Sequence, residues 1–293
     1  MKAKAICPAS CGELLQGIIG KEEKLISYPI QLFSTVTIEE KKEPVRNTTW
    51  KKTFLGMCKT LQYFGESSKI AALLEITVQS DIPIGKGMAS STADVAAAIT
   101  ATAELLGRKL TPDELAMICV EVEPTDSTIF HSLTLFDHLR GIKIVSFDWN
   151  PEFDILVLEA DTILDTQEFR KNDFSHLRIM NQPQVEKAYR LFERGIAEKN
   201  LGLLGESAIL SALANQSILP KKNLEKIIEL SLKKGCFGVN VAHSGTVIGI
   251  LFKKKYTEIE GLIDELIKKN IIKEYTKVYL TKMVEGGTRI IQD

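Results

Sequence analysis

The most informative run in this chain reads Pro83-Ile84-Gly85-Lys86-Gly87-Met88-Ala89-Ser90-Ser91-Thr92-Ala93. An alanine-rich stretch follows it as far as Gly107, and together they predict a strand end, a glycine loop and the first turn of a long helix. The first N–H groups of a helix lack intrahelical partners, and the helix dipole adds partial positive charge there. Gly85 and Gly87 let the backbone approach an anion closely. The run therefore predicts a phosphate-binding loop, in which three hydroxyls add contacts to a phosphate oxygen or a magnesium ion, those of Ser90, Ser91 and Thr92.

The loop fits neither of the two common nucleotide-binding patterns. No Gly-Lys-Ser/Thr sequence closes it, as a Walker A loop would require. Ser90 also stands where the third glycine of the dinucleotide fingerprint would lie. On local grounds alone, the alternative is an ordinary strand–loop–helix connection with a serine as the N-cap.

The run resembles the central phosphate loop of the GHMP kinases (galactokinase, homoserine kinase, mevalonate kinase and phosphomevalonate kinase), written Pro-x-x-x-Gly-Leu-Gly-Ser-Ser-Ala. Met88 stands at the leucine of that pattern and Ala89 at its second loop glycine. Both replacements keep a small or apolar residue, so we expect the loop to close over phosphate. Alanine in place of glycine also predicts that the backbone at residue 89 does not need a positive φ.

Length and composition are those of a globular protein with one large or two ordinary domains. The chain has 293 residues, of which 44% are hydrophobic and 26% charged, with 37 basic and 38 acidic residues. This balance gives no support for a nucleic-acid or membrane-surface partner. The N-terminus lacks the apolar core of a signal peptide, and no apolar run is long enough to span a bilayer. Five scattered cysteines form no zinc-ligand set, so we expect buried, reduced thiols in a cytoplasmic protein.

The remaining periodicity predicts interleaved strands and helices, as in an α+β protein. Strands are predicted at residues 30–38, 73–78, 141–147, 155–158, 238–252 (two strands around a turn at 243–246), 278–283 and 288–291. Helices are predicted at residues 54–64, 112–121, 185–199, 203–213, 224–234 and 259–269. Thr111 and Glu114 form a capping box for the second helix, and Asn223 is the expected N-cap of the fifth.

A gentle shift in composition predicts a domain boundary near Asp148-Trp149-Asn150-Pro151, and the family resemblance implies two domains. Residues 1–150 would form an ATP-binding domain like ribosomal protein S5, and residues 151–293 a ferredoxin-like C-terminal domain. Near the N-terminus, Pro8-Ala9-Ser10-Cys11-Gly12-Glu13 resembles the family's first motif, in the Pro-Ala-Ser-Ser-Ala-Asn form of homoserine kinases. Many relatives carry a cation where Ser10 stands, and this chain lacks one there. On local grounds the segment is a turn of small residues after the first strand.

Residues 235–246 lie where relatives carry a glycine-rich third motif that supports the nucleotide site. Within them, His243 and Ser244 are candidates to donate to substrate or phosphate. A histidine in a strand turn is more often structural, and that alternative remains open.

Acidic residues follow the loop helix at the distance where many GHMP kinases place a catalytic aspartate. The resemblance therefore implies that Asp126 accepts or orients the proton of the substrate hydroxyl. Its alternative role is to cap the following helical turn. Ser91 and one glutamate, Glu123 or Glu121, would hold Mg²⁺ through hard oxygen ligands. Lys86 either adds a mobile positive charge to the loop or lies solvated at its rim.

Four segments together resemble the L-threonine kinase branch of the superfamily, namely residues 7–17, 27–30, 123–128 and 241–247. The resemblance implies ATP- and Mg²⁺-dependent phosphorylation of the L-threonine hydroxyl to O-phospho-L-threonine, which supplies the aminopropanol linker of cobalamin. A homodimer is compatible with it. Substrate contacts are expected from Ser10, Glu13, Gln16, His243 and Ser244.

Further candidate substrate contacts come from Glu13 and from the end of a predicted helix, and two alternative functions remain open. Glu13 is the candidate for the substrate ammonium, and Asn215-Gln216 are candidates for polar contacts unless they only end a helix. One alternative function is a GHMP-type kinase for another small hydroxylated metabolite, such as homoserine. The other is a non-catalytic ligand sensor on the same fold.

Overall fold

The structure is a computed structural model that describes residues 1–162, 164 and 171–292. In the described part, the strands are β1 Lys2–Ile19, β2 Glu22–Glu40, β3 Leu74–Ser80, β4 Thr134–Asp137, β5 Ile142–Ser146, β6 Asp154–Ala160, β7 Gly238–Val241, β8 Val247–Phe252, β9 Tyr275–Lys282 and β10 Arg289–Ile290. The α-helices there are α1 Lys51–Tyr63, α2 Ser68–Ala71, α3 Ser90–Leu105, α4 Pro112–Val120, α5 Ser175–Ala197, α6 Leu201–Asn215, α7 Leu224–Lys233 and α8 Ile259–Lys268. This content confirms the α+β class.

The described strands form one ten-stranded sheet in the order β5-β4-β2-β1-β7-β8-β6-β9, with β3 paired to β2 and β10 paired to β1. Each pairing is antiparallel. The predicted boundary at residues 148–151 falls between β5 and β6. The sheet continues across it through a pairing of Glu13 in β1 with Val241 in β7.

The segment predicted as a small-residue turn is instead part of β1, so that prediction was wrong. Residues 8–13 continue the strand, with register shifts between Pro8 and Ala9 and between Ser10 and Glu13. Gly12 has a φ of 74°, and a Cβ there would lie 2.7 Å from the Ala242 nitrogen. Glycine therefore allows a bulge at the place where β1 touches the end of β7, and such bulges redirect neighbouring side chains.

The loop helix α3 lies in the centre of the larger core. Its small face is fully buried, and the side chains of Ala96, Ala97, Ala98 and Ala101 are 0% exposed. Short side chains let α3 approach β1, β2 and α1 closely, since a larger residue would have to displace the sheet. Packing along the whole length of α3 therefore fixes the position of its first turn, which follows the loop.

Of the two predicted helix caps, one is confirmed and one is wrong. The capping box of α4 is confirmed, because the Thr111 hydroxyl accepts from the Glu114 N–H and the Glu114 carboxylate accepts from the Thr111 N–H. The prediction for Asn223 was wrong in mechanism, since this residue precedes α7 in a left-handed conformation and its side chain makes no cap. Cys7, Cys11, Cys119 and Cys236 are buried free thiols, and Cys58 is partly buried. No helix in the described part of the chain combines the length and apolar character that crossing a bilayer requires.

Candidate active site

The predicted phosphate loop joins β3 to α3 with alternating backbone handedness. Gly85, Gly87 and Ala89 have φ values of 70°, 79° and 58°, whereas Lys86 and Met88 are not in the positive-φ region. The expectation that residue 89 avoids positive φ was therefore wrong. Alternating handedness turns successive N–H groups toward one concave side, and such nests bind anions. A left-handed alanine costs about 1–2 kcal/mol, which the packing around it must offset.

The first turn of α3 is left without a side-chain cap. Ala89, not a serine, is the N-cap, and it makes no capping hydrogen bond. The opening N–H groups of α3 are therefore available to an anion, as at other phosphate-binding helix starts. This arrangement favours the phosphate-binding interpretation over an ordinary capped connection.

Two distant segments hold the loop by main-chain hydrogen bonds. From β1, the Ser10 N–H donates to the Met88 carbonyl at 3.0 Å. From the turn between β7 and β8, the Thr246 N–H donates to the Lys86 carbonyl at 2.8 Å. Ser10 is fully buried, and its hydroxyl donates to the Gly12 carbonyl at 3.0 Å. Ser10 thus holds the loop through its main-chain N–H, and its hydroxyl is not presented to solvent.

Lys86 has neither of the two expected roles. Its side chain is 9% exposed, so it is not solvated at the rim. The ammonium donates to the carbonyls of Ala160, Asp161 and Thr162 at 2.7, 2.8 and 3.1 Å, and lies 3.9 Å from Glu159. With these donors occupied, Lys86 ties the predicted phosphate loop to the end of β6 instead of supplying a mobile charge.

The structure separates the two glutamates that the sequence left as alternatives. Glu123 accepts a short hydrogen bond from the Ser91 hydroxyl, and its second oxygen lies 2.5 Å from the Lys52 ammonium. Glu121 is directed elsewhere, 2.9 Å from the Lys59 ammonium. Ser91 and Glu123 therefore place two hard oxygens at the first turn of α3, a donor set that suits Mg²⁺.

Asp126 lies between β2 and the start of α3. Its carboxylate accepts from the Ser27 hydroxyl at 2.6 Å, and its N–H donates to the Thr92 hydroxyl at 3.3 Å. It precedes a short 3-10 turn, Ser127–Ile129, but its side chain does not cap that turn. The alternative capping role is therefore not what orients the carboxylate. Ser27 holds it beside the predicted phosphate loop.

Glu13 and His243 form a buried pair rather than two independent substrate contacts. One Glu13 oxygen accepts from the His243 N–H at 2.9 Å and lies 3.1 Å from its Nδ1. On the other side of the ring, Nε2 is 3.0 Å from the Ser211 hydroxyl, which also accepts from the Gln16 N–H at 3.1 Å. The network fixes the imidazole and the adjoining Ser244 against β1.

A cleft of about 220 Å³ opens beside these groups. It is lined by Gln16, Gly17, Glu23, His138, Leu139, Arg178, Asn181, Val185, Ala214, Asn215, Ile218, His243 and Ser244. Pockets for drug-sized ligands measure about 300–1,000 Å³, so this one suits a smaller metabolite. His138 places it near Asp126, because the His138 carbonyl accepts from the N–H of Thr125 at 3.1 Å.

The sequence missed several polar groups of this cleft. Gln16, His243 and Ser244 were predicted, and Asn215 was a candidate that also ends α6. Glu23, Arg178 and Asn181 carried no motif, because hairpin and helix surfaces commonly contain such residues. Only the folded chain brings these three to one cleft.

Asp94, in the second turn of α3, is a titratable group that no motif indicated. Burial raises the pKa of its carboxyl to about 6, although the Ser34 hydroxyl, which donates to it at 2.5 Å, acts in the opposite direction. The nearby Glu123 charge raises this pKa further. The second turn of α3 therefore contains a carboxyl whose pKa lies well above the ordinary aspartate value.

Comparison with known proteins assigns the family. Residues 52–131 match the GHMP kinases N terminal domain, and residues 188–271 match the GHMP kinases C terminal. The chain belongs to the GHMP kinases, and it is accordingly an ATP-dependent phosphotransferase of the kind this family comprises.

Within the family, the chain is 38% identical over 288 residues to an L-threonine kinase of Salmonella typhimurium, covering 98% of this chain and 95% of that protein. It is 36% identical to an L-threonine kinase of Citrobacter freundii, covering 98% and 99%. Among solved structures, a homoserine kinase from Cytophaga hutchinsonii aligns with a TM-score of 0.72 at 15% identity, over 99% of this chain and 97% of that one. The structural similarity confirms the fold.

Proposed function

We propose that this protein transfers the γ-phosphoryl group of ATP to the side-chain hydroxyl of L-threonine, giving O-phospho-L-threonine and ADP. Similarity to L-threonine kinases over nearly the full length of both chains supports the choice of substrate. The observation that carries the chemistry is the position of Asp126, held by Ser27 next to the first turn of α3. A carboxylate there can accept the hydroxyl proton of a substrate bound in the neighbouring cleft.

The proposed mechanism relies on positioning and on charge neutralisation, because phosphoryl transfer passes through a loose transition state. In the nucleotide site, residues 83–92 surround the ATP phosphates and the main-chain N–H groups from Gly87 to Thr92 donate to them. Asp126 orients the attacking oxygen and takes its proton as the bond to phosphorus forms. General-base assistance of this kind contributes about 10²–10⁴-fold.

Mg²⁺ would be held by Ser91 and Glu123. The fit rests on their adjacent oxygens and on the preference of Mg²⁺ for one or two protein oxygens together with substrate phosphates. When bound, the ion supplies charge neutralisation at the phosphate oxygens. Lys52, which lies against the other Glu123 oxygen, keeps that carboxylate oriented.

The remaining parts of the proposal concern the product, the compartment and the domains. The product would supply the aminopropanol linker of cobalamin, and the enzyme would act in the cytoplasm on two small molecules, without a nucleic-acid or membrane partner. Residues 1–150 would be the ATP-binding domain and residues 151–293 the C-terminal domain, and a homodimer would be compatible with this assignment.

An acceptor panel tests this function. The purified chain is incubated with MgATP and, in separate reactions, L-threonine, L-serine, L-homoserine and shikimate, and ADP release is followed by a coupled assay. We expect the highest kcat/KM with L-threonine and a phosphomonoester signal of O-phospho-L-threonine in ³¹P NMR. Preference for L-homoserine would support the alternative kinase, and no ADP release with any acceptor would support the ligand sensor.

A further inference from the structure

One polar group of the cleft has no hydrogen-bond partner in the part of the chain that the structure describes. Asn215 is 4% exposed, and its Nδ2 makes no hydrogen bond among the described residues although it is buried. A buried amide donor without a partner costs about 1–3 kcal/mol. Such a group is retained at a binding site when a ligand provides the missing acceptor.

The same cleft contains an ion pair, Glu23–Arg178, whose guanidinium has further N–H donors. The Arg178 Nε lies 3.2 Å from one Glu23 oxygen, and the other Glu23 oxygen accepts from Gln16 Nε2 at 3.0 Å. The side chains of Arg178 and Glu23 are 28% and 15% exposed. Since the guanidinium carries five N–H donors, its terminal nitrogens remain able to bind an acceptor.

Helix packing brings Asn215 and Arg178 to the same side of the cleft. Arg178 and Asn181 are one turn apart on α5, so their side chains share a face. The Asn181 amide donates to the carbonyl of Ala214 at 2.7 Å, which ties that face to the last turn of α6. Asn215 is the next residue, and it lines the cleft together with Arg178 and Asn181.

We propose that this cleft recognises its substrate as an α-amino-acid zwitterion: Asn215 Nδ2 and the Arg178 guanidinium bind the α-carboxylate, and Glu23 binds the α-ammonium. This assignment rests on the proposed function. It specifies which residues bind the α-carboxylate and the α-ammonium of L-threonine. A zwitterion adds no net charge, and each of its charges faces the opposite member of the Glu23–Arg178 pair.

The assignment replaces Glu13 by Glu23 as the ammonium ligand. Glu13 does not line the cleft, and one of its oxygens already accepts from the His243 main chain and faces the imidazole. Glu23 lines the cleft directly. Glu13 then acts as a positioning residue for His243 and Ser244.

Isothermal titration calorimetry with analogues of threonine tests the assignment. Binding is measured in the presence of a non-hydrolysable ATP analogue and Mg²⁺, using L-threonine, L-threoninol (which lacks the carboxylate) and 3-hydroxybutyrate (which lacks the ammonium). We expect Asn215→Ala and Arg178→Gln to weaken L-threonine binding by about 10- to 100-fold, as for a hydrogen bond to a charged group. The same variants should change L-threoninol binding by less than about threefold. Glu23→Gln should weaken L-threonine but not 3-hydroxybutyrate.

Control variants distinguish a specific loss of L-threonine binding from a general effect of removing a charge or of misfolding. Arg194→Gln removes an arginine from the same helix that pairs with Glu198 at 2.7 Å outside the cleft, and it should leave L-threonine binding unchanged. Arg178→Gln, at a partly exposed side chain, keeps the test available if Asn215→Ala fails to fold. Unchanged L-threonine binding, or equal losses for L-threonine and L-threoninol, in both variants would overturn the assignment. If the unsubstituted protein bound no L-threonine, the proposed function itself would be contradicted.

Discussion

Gly87 of the predicted phosphate loop and Gly245 of the turn between β7 and β8 face each other with no space for a side chain between them. A Cβ on Gly245 would lie 2.3 Å from the Gly87 Cα and 2.3 Å from the Lys86 carbonyl oxygen. A Cβ on Gly87 would lie 2.7 Å from the Gly245 Cα. The loop shape therefore depends on a backbone contact with a segment about half the chain away.

Gly245→Ala is expected to weaken MgATP binding, because the new Cβ must push the turn away from the loop. Distances of this size require backbone movement, and overpacking typically costs about 1–3 kcal/mol. Nucleotide affinity by calorimetry and the unfolding midpoint in urea are the measurements. Gly261→Ala on α8 is the matched control, since its nearest neighbour is the flexible Lys234 ammonium at 3.3 Å. That change should leave affinity intact and stabilise the helix by about 0.5–1 kcal/mol.

Asp126→Ala is expected to lower kcat by about 10²–10⁴-fold while MgATP affinity changes little. In the proposed mechanism the carboxylate acts on the hydroxyl proton, and the loop amides proposed to hold ATP remain in this variant. Ser27→Ala should give a smaller kcat loss, about 3- to 10-fold, because it removes one orienting hydrogen bond. Steady-state kinetics and nucleotide titration measure both effects. Equal losses of turnover and of ATP affinity in Asp126→Ala would contradict a role in proton transfer.

Glu123→Gln and Glu121→Gln form a matched pair for the proposed Mg²⁺ site. Only Glu123 contacts the Ser91 hydroxyl, whereas Glu121 pairs with Lys59. We expect Glu123→Gln to raise the Mg²⁺ concentration for half-maximal activity by roughly tenfold or more, since a nearby negative charge is lost. Glu121→Gln should titrate as the unsubstituted enzyme does. A larger shift for Glu121→Gln would move the proposed site to the other glutamate.

Asp94→Asn is expected to change how stability depends on pH. Burial raises the folded-state pKa of Asp94 from 3.8 to about 6, so the folded state binds the proton more tightly than the unfolded state. Stability therefore falls as pH rises from about 4 to about 6, by up to about 3 kcal/mol. Asn keeps an acceptor for Ser34 and removes the titration. Urea unfolding from pH 4 to 8 should show the variant gaining stability relative to the parent across that window, and parallel pH profiles would rule out this titration.

Features set by neighbours in sequence were predictable. The capping box at Thr111 and Glu114 and the turn at residues 243–246 each depend on a few adjacent residues. Their residue types restrict local backbone conformation, so the pattern alone is informative.

Features set by distant contacts were not predictable. The carbonyls that accept from the Lys86 ammonium lie more than seventy residues away in sequence. Nothing in a Gly-Lys-Gly sequence indicates these hydrogen bonds. Ala89 adopts positive φ because packing of α3 and two crossing segments fixes the loop, which overrides its local preference. The cleft needs a hairpin, α5 and the end of α6 together, so the Glu23–Arg178 pair appears only in the fold.

A crystal structure of the protein with a non-hydrolysable ATP analogue, Mg²⁺ and L-threonine tests the central claim most directly. The account predicts that the β- and γ-phosphates contact main-chain N–H groups of residues 87–92. It also predicts that the threonine hydroxyl lies within hydrogen-bonding distance of Asp126, with the amino-acid end in the cleft. Nucleotide density away from the start of α3, or threonine density far from Asp126, would contradict it.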